Sequence, residues 1–223
     1  MYLIKTPWWL RLIYPSFVWR INTKEKVLYL TFDDGPHETA TVFVLDELKK
    51  YNAKATFFCI GNNVVKYPGI YERILNEGHS VGNHTFNHLN GWKTNNAVYI
   101  DDIEDAAKYI DSTLFRPPYG KISKFQASMI NQQSLKANDQ SKYKSFNQQH
   151  STFSIIMWDV LSGDFDIKLQ PKECLTNVLL NARKGSIVVF HDSTKAWERM
   201  SFALPEILKH FSKEGYVFKA LSS

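Results

Sequence analysis

The apolar positions of this chain switch period repeatedly between strand-like and helix-like spacing. Residues 26–32 (KVLYLTF) form a β-branched and aromatic run that predicts a strand. Asp33-Asp34-Gly35-Pro36, which follows, cannot continue a central strand. Val42, Leu45 and Leu48 then space residues 39–51 as a helix. Residues 53–60 (AKATFFCI) read as a second buried strand, stopped by Gly61. A helix over 70–76 ends at Gly78, and 79–81 is a short strand. A long helix over 95–112 puts Ile100, Ile103, Ala107 and Ile110 on one face. Strands at 154–158 and 186–190 follow, with helices over 171–183 and 197–213 and a last strand at 216–218. Pro171 opens its helix, where a missing N–H costs nothing. Strands alternating with helices predict a parallel sheet or barrel.

Two stretches break the rhythm. Residues 124–150 are rich in Gln, Asn, Ser and Lys and read as a polar insertion, with a helix around 125–135. The apolar N-terminus, MYLIKTPWWLRLIYPSFVW, is interrupted by Lys5, Pro7, Arg11 and Pro15. A signal-peptide core would be uninterrupted, so the segment reads as packing on the domain rather than touching a membrane surface through its tryptophans. No apolar run reaches the 18 or more residues of a membrane-spanning helix, which makes the cytoplasm the default location. No repeat or linker divides residues 1–223, and a single domain is expected.

Composition narrows the class. With 44% hydrophobic and 22% charged residues the chain can form a core, which excludes long disorder. The net charge is +5, but no Lys/Arg stripe marks a nucleic-acid surface. Cys59 and Cys174 lie in no metal-like spacing and read as buried thiols.

Chemistry-bearing residues gather after predicted strands, where parallel α/β folds build their sites. Asp33 and Asp34 are adjacent carboxylates that need a cation or an arginine nearby; their bland reading is a turn that caps the next helix. His84 and His88, spaced as on a helical turn, suit a transition metal, and one added carboxylate would make an open, catalytic site. Arg116 in RPPYG could pair with a carboxylate, on a loop the prolines stiffen. Asp164 lies in WDVLSGDF, and His191, in IVVFHD, would be a tunable acid or base if a carboxylate partners it; its bland reading is a capping or core histidine, and Asp192 beside it reads as a helix cap.

Taken in order, TFDDGP, HTFNH, RPPYG, residues 158–165 and residues 189–191 resemble the motifs of the polysaccharide deacetylase family, the NodB-homology domain or carbohydrate esterase family four. The resemblance implies an α/β fold, a distorted (β/α) barrel with about seven β/α units. It implies a divalent metal on Asp34, His84 and His88, zinc first, with cobalt, nickel or manganese as alternatives. It makes Asp33 the general base, Arg116 its positioner, His191 the general acid, Asp164 the residue orienting that acid, and the Tyr119 N–H an oxyanion donor. Phe165, Leu161 and Val189 depart from the family's usual Trp, Asp and Leu beside the substrate pocket.

The implied activity is metal-dependent removal of N-acetyl groups from sugar polymers or oligomers. The partner is then an N-acetylated carbohydrate, not nucleic acid, in any oligomeric state. The alternatives are an O-acetyl esterase or other amide hydrolase, and a silent glycan-binding module; the latter would be expected to lack Asp33 or His191. Substrates of such a family lie in the cell envelope, in tension with the missing export signal.

Overall fold

The computed structural model describes residues 2–130 and 153–222. Its first half runs α1 (Trp8–Ile13), β1 (Val27–Asp33), α2 (Ala40–Lys50), β2 (Thr56–Cys59), α3 (Gly61–Lys66), α4 (Pro68–Asn76), β3 (Ser80–Asn83), α5 (Asn96–Ala107) and β4 (Leu114–Phe115). The second half runs α6 (Lys124–Ile130), β5 (Ser154–Ile155), β6 (Val160–Leu161), α7 (Pro171–Asn181), β7 (Ile187–His191), α8 (Trp197–Lys213) and β8 (Val217–Phe218). The strands form one curled sheet in the order β5-β4-β3-β2-β1-β7-β6, with β8 beside β1. Every pairing is parallel, as the alternation predicts.

The central strands are apolar almost throughout, because helices cover the sheet. Leu28, Leu30, Phe32, Phe57, Val188 and Phe190 are fully buried. They meet Val44, Leu45 and Leu48 of α2 and Met200, Leu204, Ile207 and Phe211 of α8, which recur at helical spacing. Gln170 N–H donates to Glu173 Oε2 at 2.8 Å and fixes the start of α7 behind Pro171.

The N-terminal segment packs on the domain, as its interruptions suggest. Lys5 bridges to Val160 of β6, and Val18 to Ile156 beyond β5, so the segment takes the two outer edges of the sheet. Phe17 and Trp19 are buried, while Trp8 and Trp9 of α1 are exposed. Asp159, fully buried, receives Lys5 Nζ at 2.7 Å and the Arg11 guanidinium, and pins the segment down. Among the described residues no helix is long and apolar enough to cross a membrane. Both cysteines are buried free thiols.

Two local expectations shift, and β4, β6 and α3 form where no element is expected. The helix over 95–112 stops at Ala107, because the chain must turn into β4. β4 and β6, two residues each, are too short to show a period. α3 begins with Gly61, Asn62 and Asn63, poor helix formers, and is held instead by Gly61 N–H to Thr85 O and Asn62 N–H to Phe86 O. The strand at 154–158 is regular only over Ser154–Ile155, because the carbonyls of Ile156 and Met157 accept from Arg116. The polar insertion and its helix are described only over α6; the remainder, from 131, lies outside the described residues.

Candidate active site

All eight sequence-predicted site residues lie at or just beyond the C-terminal ends of strands. Asp33 ends β1, directly beside His191 at the end of β7. Asp34 follows Asp33, His84 follows β3, Arg116 follows β4, and Asp164 lies beyond β6.

Asp34, His84 and His88 come together. One ligand atom from each lies within 4.8 Å of the others. The His88 and His84 Nε2 atoms stand 3.1 and 3.7 Å from Asp34 Oδ1. The 3.1 Å contact lacks hydrogen-bond alignment, so Asp34 Oδ1 is a buried oxygen without a hydrogen-bonded partner. An orphaned carboxylate oxygen facing two imidazoles is the donor set a transition metal satisfies.

Protonation states agree with that fit. Burial would raise the Asp34 carboxyl, but His88 and His191 outweigh it and hold it well below the usual carboxylate range. Burial pushes the His84 imidazole down to about 4, so it is neutral near pH 7, as a metal ligand must be. His84 Nδ1 lies 2.7 Å from Arg116 O. A carbonyl only accepts, so Nδ1 carries the proton and Nε2 is left with its lone pair.

The His-to-His spacing works differently from the helical turn expected. Residues 84–88 form a bend, with φ of 63° at Thr85 and 58° at His88. Asp102 on α5 gathers this bend, accepting from Phe86 N, Asn87 N and Asn87 Nδ2 at 3.1, 3.0 and 2.6 Å. Asp34 and Tyr119 also have positive φ, 81° and 60°. Each such residue costs about 1–2 kcal/mol, more for β-branched Thr85, so backbone strain collects around the site.

Asp33 adjoins Asp34 of the trio. Arg116, with no exposed surface, donates from Nη1 to Asp33 Oδ1 and Thr31 Oγ1, both at 2.7 Å. Nε and Nη2 donate to Ile156 O and Met157 O at 3.1 and 2.9 Å, and the guanidinium lies 4.1 Å from the Phe58 ring centroid. Both ends of the fork are occupied, so Arg116 holds one orientation of Asp33.

His191 is held in turn by Asp164. Its Nδ1 lies 2.8 Å from Asp164 Oδ1, and its backbone N–H donates to Oδ2 at 2.7 Å. Burial would lower this imidazole, but Asp164, with Asp34 and Asp33 nearby, raises it to about 10. Phe165 packs edge-on against the ring at 5.4 Å, while Leu161 and Val189 are buried behind the site. Tyr119 lies on the rim with its ring 4.7 Å from that of His88.

Two helix-capping readings are corrected. His37 Nδ1, not an aspartate, accepts from Thr39 N and Ala40 N at the start of α2. Asp192 caps nothing: its carboxylate accepts from Gly35 N at 3.0 Å and from Thr41 Oγ1. Supporting residues missed in the sequence include Thr31, Asp102 and Arg199, whose Nε donates to Asp164 O at 2.7 Å. A polar side chain on the apolar face of α5 was the one legible hint, for Asp102.

Comparison with known proteins follows the same lines. The polysaccharide deacetylase family profile matches residues 20–138. A peptidoglycan-N-acetylglucosamine deacetylase of Bacillus cereus is 34% identical over 210 residues, 92% of this chain and 90% of that protein. The peptidoglycan-N-acetylmuramic acid deacetylase PdaC of Bacillus subtilis is 32% identical over 91% of this chain and 39% of its own length. Among solved structures, a peptidoglycan N-acetylglucosamine deacetylase in complex with 4-naphthalen-1-yl-N-oxidanyl-benzamide superposes with a TM-score of 0.78 at 29% identity. That match covers 97% of this chain and 95% of the other.

Proposed function

The chain belongs to the polysaccharide deacetylase family, and from that premise we propose that it is a metal-dependent hydrolase removing N-acetyl groups from sugar polymers, N-acetylglucosamine in peptidoglycan first among them. One observation carries the reading: Asp34, His84 and His88 converge at the strand ends that also bear an Arg116-held carboxylate, Asp33, and an Asp164-held imidazole, His191.

A divalent metal on Asp34, His84 and His88, zinc by the chemistry of the donors, would supply polarisation of the acetamide carbonyl and a lower pKa for water. Asp33, oriented by Arg116, accepts the proton of the attacking water. The Tyr119 N–H donates to the oxygen that gains charge in the tetrahedral state. His191 enters protonated, because its imidazole is raised to about 10, and gives that proton to the departing amine nitrogen. An amide needs such an acid, since an unprotonated amine leaves poorly. Peptidoglycan as substrate places this work in the cell envelope.

Acetate release tests the reading. Chelator-treated protein should be silent on peptidoglycan fragments and chitin oligomers, and recover with zinc or cobalt. Release from acetylated xylan alone would make the protein an esterase. Metal binding without turnover on any acetylated glycan would leave a binding module. Asp34→Ala should lose metal and activity together, whereas His191→Ala should keep metal and lose about 10²–10⁴-fold in kcat. Full metal occupancy in the first variant, or full turnover in the second, overturns that residue's role.

A further inference from the structure

We propose that Asp192 is a positioning residue that holds Asp34 in its metal-binding orientation, an inference that rests on Asp34 being a ligand. Asp34 sits in a left-handed backbone, φ 81°, which costs a residue with a Cβ, though Asp less than most, so restraint from its neighbours favours it. Asp192 supplies that restraint on both sides. Its backbone N–H donates to Asp33 O at 3.0 Å, the carbonyl preceding Asp34. Its Oδ1 accepts from Gly35 N at 3.0 Å, the amide following Asp34. One residue at the end of β7 therefore clasps the two peptide groups that flank the ligand.

The clasp is anchored and closely fitted. Asp192 has no exposed surface, and its Oδ2 accepts from Thr41 Oγ1, which accepts in turn from His37 N at 2.7 Å. A Cβ on Gly35 would lie 2.1 Å from Asp192 Oδ2, so the carboxylate reaches its place only because residue 35 is glycine. Asn63 Nδ2 donates to Asp34 O at 2.7 Å and completes the restraint from α3. Asp192 adjoins His191, but its carboxylate bonds away from the reacting groups, on the backbone beneath the trio. Such outer contacts orient a ligand without touching substrate.

The test is metal affinity of the metal-free protein, read by competition with a chromophoric chelator, in variants whose circular dichroism matches wild type. Asp192→Ala should bind zinc about 10–100-fold more weakly. Asp192→Asn keeps an oxygen acceptor for Gly35 N and should remain within about threefold of wild type. Thr41→Val removes the anchor but not the Gly35 bond; it should lower Tm and also stay within about threefold in affinity. Gly35→Ala displaces the carboxylate while retaining it, should weaken zinc as Asp192→Ala does, and decides the matter if Asp192→Ala does not fold. Wild-type affinity in Asp192→Ala or Gly35→Ala, equal losses in Thr41→Val and Asp192→Ala, or failure of both Asp192→Ala and Gly35→Ala to fold overturns the proposal. Undiminished affinity in Asp34→Ala would instead sink the ligand assignment itself.

Discussion

His191 has a protonation state set by competition. Burial favours the neutral ring and the Asp164 carboxylate the charged one, and the carboxylate prevails. Asp164→Asn keeps the shape but removes the charge, so the His191 pKa should fall. The alkaline limb of the kcat profile should move to lower pH, and an unmoved limb would detach Asp164 from the acid's tuning. The same pair makes a stability prediction. The folded value, about 10, exceeds the unfolded value, about 6.5, so the stabilisation is complete below about pH 6.5 and fades as pH rises toward 10. In metal-free protein the Tm gap between wild type and Asp164→Asn should narrow across that range. The residue types of this pair were legible from composition alone, because few side chains do acid–base work near neutral pH. Their contact, between positions 164 and 191, was implied only by the family resemblance and not by composition or period, since it depends on β6 and β7 lying side by side.

α5 reaches into the site without contributing a group that reacts. Asp102 is buried among Tyr99, Ile100 and Ile103 and takes three donors from the bend that carries His84 and His88. Asp102→Ala would leave Asn87 N and Asn87 Nδ2 without this acceptor, at about 1–3 kcal/mol each at most, while Phe86 N keeps the Asp102 carbonyl, so the bend should loosen. Both Tm and zinc affinity should fall, whereas Asp105→Ala, half-buried on the same helix and away from the bend, should change neither. Equal effects of the two variants would remove the bend-gathering role. A periodic apolar stripe revealed α5; it could not reveal that one polar interruption in the stripe serves another segment. β4 and β6 escaped detection for a related reason. A two-residue strand exists only through its neighbours' hydrogen bonds.

The molecule as a whole is a sheet whose outer edges, β5 and β6, are taken by the N-terminal segment. Asp159 is the clamp. Burial would raise its carboxyl, but the Lys5 and Ser186 hydrogen bonds prevail and hold it below the usual range. Its stabilisation is therefore present above the unfolded value, about 3.9, and is lost as pH falls through the folded one. Asp159→Ala should unpin residues 2–13, seen as faster hydrogen exchange there and a lower Tm. Zinc affinity should hold, because Asp34, His84 and His88 lie beyond the ends of β1 and β3. Unchanged exchange in the N-terminal segment would show that backbone pairing alone retains it.

Local composition and period determined the alternation, the parallel sheet and five motif clusters, four of them after predicted strands, because strand and helix periods and metal- or proton-binding side chains are properties of short segments. Tertiary structure decided which clusters meet: Asp33 with Arg116 across 83 positions, Asp164 with His191, and Asp192 beneath Asp34 rather than at a helix end. These contacts follow from strand order and from backbone turned left-handed at Asp34, Thr85, His88 and Tyr119. Strand order is set by burial of the whole sheet against its helices, a quantity no single segment carries.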